Sequence, residues 1–103
     1  MTEQAAGPSG AGTVVLNLGA GIGALVLYTP ASMDGQEIEI SLGDEQRRTH
    51  SQVRRRDTVT ATKYAAVYPD LPIGDYTIWR DHHHKATTAT ITSGSVTSCH
   101  WPD

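Results

Sequence analysis

Apolar and polar positions alternate along most of this chain with the two-residue period of a β-strand, and no useful stretch follows the 3.6-residue period of an amphipathic helix. The alternation is clearest at Gln36–Leu42, where Ile38, Ile40 and Leu42 share one face and Glu37, Glu39 and Ser41 the other. One face therefore belongs to a core and the other to water. Tyr76, Ile78 and Arg80 likewise oppose Thr77 and Trp79, and Ala89 and Ile91 oppose Thr88, Thr90 and Thr92. Short runs rich in β-formers recur at Thr13–Leu18, Ile22–Thr29, Gln36–Ser41, Arg47–Arg54, Thr58–Tyr68, Asp75–Arg80, Thr87–Thr92 and Ser95–Trp101. Pro30, Asp34-Gly35, Gly43-Asp44, Pro69-Asp70, Pro72, Gly74 and Ser93-Gly94 punctuate them as turns. Seven or eight strands at roughly ten-residue spacing predict an all-β chain, an antiparallel seven- or eight-stranded sandwich.

Residues 1–12, MTEQAAGPSGAG, break the pattern: they are small and polar, and ordering them buries too little apolar surface to offset the entropy lost. They are expected to form a disordered N-terminal arm, with residues 13–103 a single domain, as the length of 103 residues also suggests. Composition agrees with the strand reading, since Val, Ile, Tyr, Trp and Thr outnumber the strong helix formers. There is no Phe, so the core must be aliphatic with a few Tyr or Trp, enough for one thin sandwich rather than for a large catalytic cavity.

The stretch Tyr64–Trp79, YAAVYPDLPIGDYTIW, followed by a Thr-rich strand and Ser-Gly-Ser-Val, resembles a pattern in prealbumin-like modules such as the carboxypeptidase regulatory-like and collagen-adhesin B-type repeats. In those modules an apolar strand runs into a Leu-Pro-x-Gly-x-Tyr turn and on into a strand that closes the sandwich. The resemblance implies that Pro72 presets the turn, that Gly74 takes positive φ and that Tyr76 enters the core. The segments LNLGAGIGALVLYTP, GQEIEIS and YAAVYPDLP also resemble a group of short, mostly uncharacterised actinobacterial proteins, some of which carry a phospholipase label. The residues give that label no support. A His-x-Lys-x4-Asp phosphodiesterase motif begun at His83 and Lys85 would need Asp where Thr90 stands, and a secreted phospholipase needs paired cysteines where this chain has Cys99 alone. The hydroxyisourate hydrolases of the prealbumin fold end in Tyr-Arg-Gly-Ser, and this chain ends in Trp101-Pro102-Asp103.

Eleven acids against eight bases give a net charge of −3, which removes the global attraction most nucleic-acid binders use. Cys99 has no partner for an intrachain disulfide, so the cytoplasm is the expected compartment. The apolar run Val14–Tyr28 has no Lys or Arg before it and, at 15 residues, falls short of the roughly 20 that span a bilayer. It reads as two buried strands around a glycine turn. The string Gly19-Ala20-Gly21-Ile22-Gly23-Ala24 fits a loose dinucleotide fingerprint, but it leads into a strand stopped by Pro30 and not into the helix that would hold a pyrophosphate.

Three groups carry candidate chemistry. Arg47, Arg48, Arg54, Arg55 and Arg56 fall within ten positions around His50. Their density suits phosphate or an acidic partner gripped through bidentate guanidinium contacts, or simply guards an edge strand by charge. With no aromatic residue interleaved, base stacking and hence single-stranded recognition are poorly supported, and with the net charge this makes nucleic acid an unlikely partner. Trp79 and Trp101, if exposed, would join the arginines as interface anchors. His82, His83 and His84, expected in a hairpin connection, could bind Zn, Ni or Cu, with His100 or Cys99 adding a ligand and Asp81 a helper carboxylate. The alternative for them is a solvated turn. Adjacent residues of a strand face opposite ways, so at most one of Cys99 and His100 reaches a shared centre. Seven serines and five histidines allow many Ser/His/Asp sets, no G-x-S-x-G elbow is present, and a Cys99 pairing with His50 or His100 is the remaining nucleophile. Glu37 and Glu39 read as the solvent side of their strand.

The leading expectation is a non-enzymatic accessory module that docks to another protein, with a homodimer through sheet edges an additional expectation. A metal-binding or metal-delivery protein is the alternative, and a small hydrolase the second alternative.

Overall fold

The computed structural model describes residues 19–43 and 46–102. The expected arm (1–12) and first strand (Thr13–Leu18) lie outside the described residues. Within the described residues run eight strands: β1 Ile22–Thr29, β2 Glu37–Leu42, β3 Arg48–Gln52, β4 Arg54–Asp57, β5 Thr62–Pro72, β6 Gly74–Trp79, β7 Lys85–Ile91 and β8 Val96–His100. A 3-10 turn, Ala31–Met33, links β1 to β2. The strands form two sheets of four, ordered β4-β5-β1-β8 and β3-β2-β6-β7.

The core lies where the alternating faces meet. Leu25 and Leu27 of β1, Ile38 and Ile40 of β2, Ala66, Tyr68 and Leu71 of β5, Tyr76 and Ile78 of β6 and Ile91 of β7 form one buried cluster. Leu25, Leu27, Ile40 and Ile78 have no exposed surface at all. β1 is apolar on both faces because it is central, flanked by β5 and β8. Its second face carries Val26, which packs with Ala65 and Val67 in a smaller cluster flanked by Tyr28.

The arginine-rich run departs from expectation. Instead of one strand over Arg47–Arg54, the chain breaks at Val53 and passes from one sheet to the other. Val53 is fully buried, its N–H donates to Gln36 O at 2.8 Å, and its carbonyl accepts from Gly35 N at 2.9 Å. An apolar residue amid the arginines has only the interior to go to, and the switch of layer delivers it there. β3 and β4 each end up at an edge of a sheet.

The expectation of purely antiparallel pairing is also corrected, because β8 runs parallel to β1, from Ala24↔Val96 to Tyr28↔His100. The cause is where β7 ends. Ile91 lies opposite Gly74, beside the end of β5 that pairs with the start of β1 at Ile22↔Pro72. A short link, residues 92–95, then returns the chain to that same end of β1, so β8 must run with it. The other ladders are antiparallel.

β5 starts later than expected and runs further. Thr58–Ala61 form the turn from β4, Thr58 N–H and Oγ1 both donating to Ala61 O at 2.8 Å. The strand then continues through Pro69 to Pro72, past the point where β4 stops pairing at Arg54↔Ala65, so the missing proline N–H groups leave that ladder intact. At the corner after it, Gly74 has φ 142° and Tyr76 is buried, in line with the sequence pattern, and Tyr76 Oη donates back to Pro72 O at 2.7 Å.

Candidate functional site

The layer switch at Val53 divides the arginines between the two sheets, with Arg48 on β3 and Arg54, Arg55 and Arg56 on β4. On the β3-β2-β6-β7 sheet, Arg48 Nη1 meets Glu39 Oε1 at 2.9 Å, its Nη2 donates to His82 O at 3.0 Å, and its guanidinium carbon lies 3.9 Å from the Trp79 ring centroid. Trp79 Nε1 in turn donates to Ser41 Oγ at 2.9 Å, which is why Ser41, on the nominal solvent face, is buried. His50 Nδ1 lies 3.2 Å from Glu37 Oε1, and His82 Nδ1 lies 3.6 Å from Glu39 Oε1. Glu37, Glu39, Trp79, Asp81 and His82 line an open groove of about 310 Å³ here. A second groove, of about 440 Å³, has Ile40, Leu42, Tyr68 and Leu71 along it, with Arg47, His50 and Asp70 among its polar lining. Charge around Arg48 is internally matched.

The other sheet differs. In β4, Arg55 Nε donates to Asp57 Oδ1 at 3.0 Å, which raises the Arg55 pKa and lowers that of Asp57. Arg54 and Arg56 point the opposite way, registered against Ala65 and Lys63 of β5. Register then carries one row across all four strands: Arg54, Ala65, Tyr28 and His100. Lys63 Nζ sits 5.3 Å from the Tyr28 ring centroid, and Tyr28 stacks on His100 at 5.3 Å. Among the described residues, neither Arg54 nor Lys63 forms an ion pair with a carboxylate. Burial and then the neighbouring Arg54 charge push the Arg56 pKa down. Three cations and an aromatic ring thus share one face. Sequence reasoning missed Lys63 and Tyr28 in this group. The register of a basic edge strand against Lys63 would have been the pointer, but hairpin register is not visible from composition.

The tryptophans expected as exposed anchors are half-buried. Trp79 is pinned by Arg48 and Ser41, while Trp101 packs against the main core with Arg80 over its ring at 5.3 Å.

His82, His83 and His84 occupy the turn between β6 and β7, as expected, and all three are exposed. Asp81 organises this turn. Its Oδ1 accepts from the backbone N–H of His83 at 2.8 Å and of His84 at 2.9 Å, and His84 Nδ1 contacts both carboxylate oxygens at 2.9 Å. These bonds, the His83 N–H foremost, hold the Asp81 carboxyl down at about 2. The Asp81 position expected to help a metal is therefore spent on the turn. Cys99 faces inward against the core and His100 outward onto Tyr28; burial pushes the Cys99 thiol up, away from the thiolate that ligation or nucleophilic attack requires. Among the described residues, no three His, Cys, Asp or Glu side chains are grouped as a metal ion would need. No helix among them is long and apolar enough to cross a membrane.

Compared with known proteins, the chain matches no family model, no curated protein and no solved structure.

Proposed function

We propose that the protein is a non-enzymatic binding module, built on a prealbumin-like sandwich, that docks an acidic protein surface on the outer face of the β4-β5-β1-β8 sheet. The observation that carries this reading is the placement of Arg54 and Lys63, neither ion-paired to a carboxylate of the described residues, on one face beside Tyr28. Like charges held together on a rigid sheet lose their repulsion when a carboxylate-bearing partner arrives, and a planar guanidinium accepts a carboxylate in bidentate fashion. Among the described residues β4 is an edge strand, which leaves it open to approach. Tyr28 supplies an apolar ring with a polar tip, a combination favoured at interfaces. The prealbumin-like part of the reading is supported by the Leu71-Pro72-Ile73-Gly74-Asp75-Tyr76 corner, where the chain crosses from one sheet to the other and a buried tyrosine ties back to the backbone.

Titration of the full chain with a decaglutamate peptide, followed by backbone NMR, tests the reading. Shifts should concentrate at Arg54, Lys63 and Tyr28, weaken with salt, and vanish in the Arg54→Glu/Lys63→Glu variant. Shifts confined to the Glu39/Arg48 face would overturn the proposal, as would single-stranded DNA of equal charge binding more tightly than the peptide.

A further inference from the structure

Among the described residues, the four outer strands of the two sheets are not defended alike. β3 carries Arg48 and His50, and β4 carries Arg54, Arg55 and Arg56. β7 begins at Lys85, and its Thr90 carbonyl is taken by Thr97 Oγ1 at 2.9 Å. β8, VTSCH, has no Asp, Glu, Lys, Arg or Pro, and its ladder with β1 runs without a bulge. Charges, prolines and bulges are the usual means of keeping an edge strand from pairing with another chain. β8 lacks them all.

The direction of its outward backbone groups can be read from the bonds it makes. Ala24 N–H donates to Ser95 O at 3.0 Å, and Trp101 N–H donates to Tyr28 O at 2.7 Å. Odd-numbered residues of this segment therefore point their polar backbone groups at β1. Strand alternation then turns the N–H and C=O of Val96, Ser98 and His100 outward. These three residues are exposed, Val96 by 45%.

We propose that β8 pairs antiparallel with β8 of a second copy of this chain about a two-fold axis at Ser98. Ser98 then bonds reciprocally with Ser98 of the copy, and Val96 with His100 on either side, satisfying the outward groups of all three residues in both strands. No like charges meet in this register, and the side chains brought opposite are Val96 and His100. A second copy suits the edge because the two-fold closes the assembly after two chains, whereas pairing β8 with β3 or β4 is heterologous and leaves further edges to fill. The dimer joins two four-stranded sheets into one of eight. The two basic β4 edges come to lie at its far ends, about 34 Å apart at the usual strand spacing. The inference rests on the edge chemistry and not on the acidic-partner reading.

Sedimentation of the full chain, alone and without peptide, tests it. A monomer–dimer equilibrium is expected in the micromolar range, weakened at least tenfold in Ser98→Pro. That proline removes an outward N–H and leaves the β1 ladder its own bonds, and circular dichroism checks that the fold is kept. Ser98→Cys in a Cys99→Ser background gives an independent reading. Hydrogen-bonded antiparallel partners sit about 5.5 Å apart at Cα, within disulfide range, so mild oxidation should yield a covalent dimer, whereas Thr97→Cys in the same background should not. A chain that stays monomeric at several hundred micromolar overturns the proposal. So does a dimer that ignores Ser98→Pro and fails to cross-link through position 98.

Discussion

Arg48 and Trp79 form a stacked pair across the β3-β2-β6-β7 sheet, the guanidinium carbon 3.9 Å from the ring centroid. Two further bonds hold the guanidinium in plane, one to Glu39 and one to the His82 carbonyl, so one side chain ties β3, β2 and the β6–β7 turn together. An arginine that serves three elements at once is committed to the fold and is not a free cation awaiting a partner.

Replacing Arg48 by Ala should therefore destabilise the protein by about 1–2 kcal/mol, the loss expected of a charge-assisted hydrogen bond together with a partly shielded cation–π contact. Arg48→Lys should recover less than half of that loss, since an ammonium has neither the fork nor the flat face. Urea unfolding of the Arg48→Ala, Trp79→Leu and double variants closes a mutant cycle. A coupling energy of about 0.5–1 kcal/mol is expected, and additive losses would show that the stack contributes nothing.

Tyr68 presents a different balance. It is buried and its Oη donates to Ile38 O at 2.7 Å, so Tyr68→Phe leaves a buried carbonyl short of a donor and should cost about 1–2 kcal/mol. Burial raises the phenol pKa well above its ordinary value near 10. A group whose pKa is raised on folding stabilises the native state fully below the unfolded value and loses that contribution as pH climbs through the folded one. Native stability should accordingly decline above pH 10, and the decline should be shallower in Tyr68→Phe. Equal slopes in the two proteins, measured by urea unfolding at pH 9 to 11, would contradict this account.

Gly23 stands in the string that mimics a nucleotide fingerprint, and the structure gives it a packing role. A Cβ there would run into the Thr92 carbonyl oxygen and come within 2.6 Å of Ile91 Cγ2. The contacts are backbone and buried core, which cannot swing aside. Gly23→Ala should cost about 1–3 kcal/mol by overpacking, while Gly19→Ala, with nothing within 4 Å of its added carbon, should cost much less. Thermal denaturation of the two variants separates a packing role from a general demand for flexibility in this segment.

The strands are legible in the sequence wherever one face is wet. The Glu37/Ile38/Glu39/Ile40 alternation locates β2 to within a residue, and Ile22–Thr29 is marked at both ends because a glycine turn and Pro30 bound it. Val53 is the residue that misleads. One valine among arginines looks like an interruption in a polar strand, yet it is where the chain changes sheets, because burial of a single side chain is decided by what lies across the sandwich. The parallel β8 is hidden for a related reason: strand direction depends on which end of the fold β7 reaches. The candidate site is half legible. The basic density is visible, but its division into a matched group at Arg48 and a second one at Arg54, Arg56 and Lys63 comes from pairings between residues distant in the chain. The position of the histidine turn is legible too, whereas the role of Asp81 in it is not, since its bonds to His83 and His84 depend on turn geometry.

That turn carries the last expectation. Asp81 is held at about 2, below its ordinary 3.8, by hydrogen bonds that exist only when the turn is formed. A carboxyl depressed on folding lends stability above its unfolded pKa and withdraws it as pH falls through the folded value. The turn should thus be intact above about pH 4 and should loosen between about pH 4 and 2, which the amide shifts of His83 and His84 report directly. Because Asp81 is ionised at neutral pH and can only accept, His84 must donate from Nδ1, leaving Nε2 as its free nitrogen. His84→Ala should raise the Asp81 midpoint partway toward 3.8, the backbone bonds persisting. A midpoint that does not move would mean that the His84 ring is not held by Asp81 in solution. Zn²⁺ titration adds the complementary measurement: binding through Nε2 alone should leave the His83 and His84 amide shifts in place, whereas a centre that recruits Asp81 must displace both.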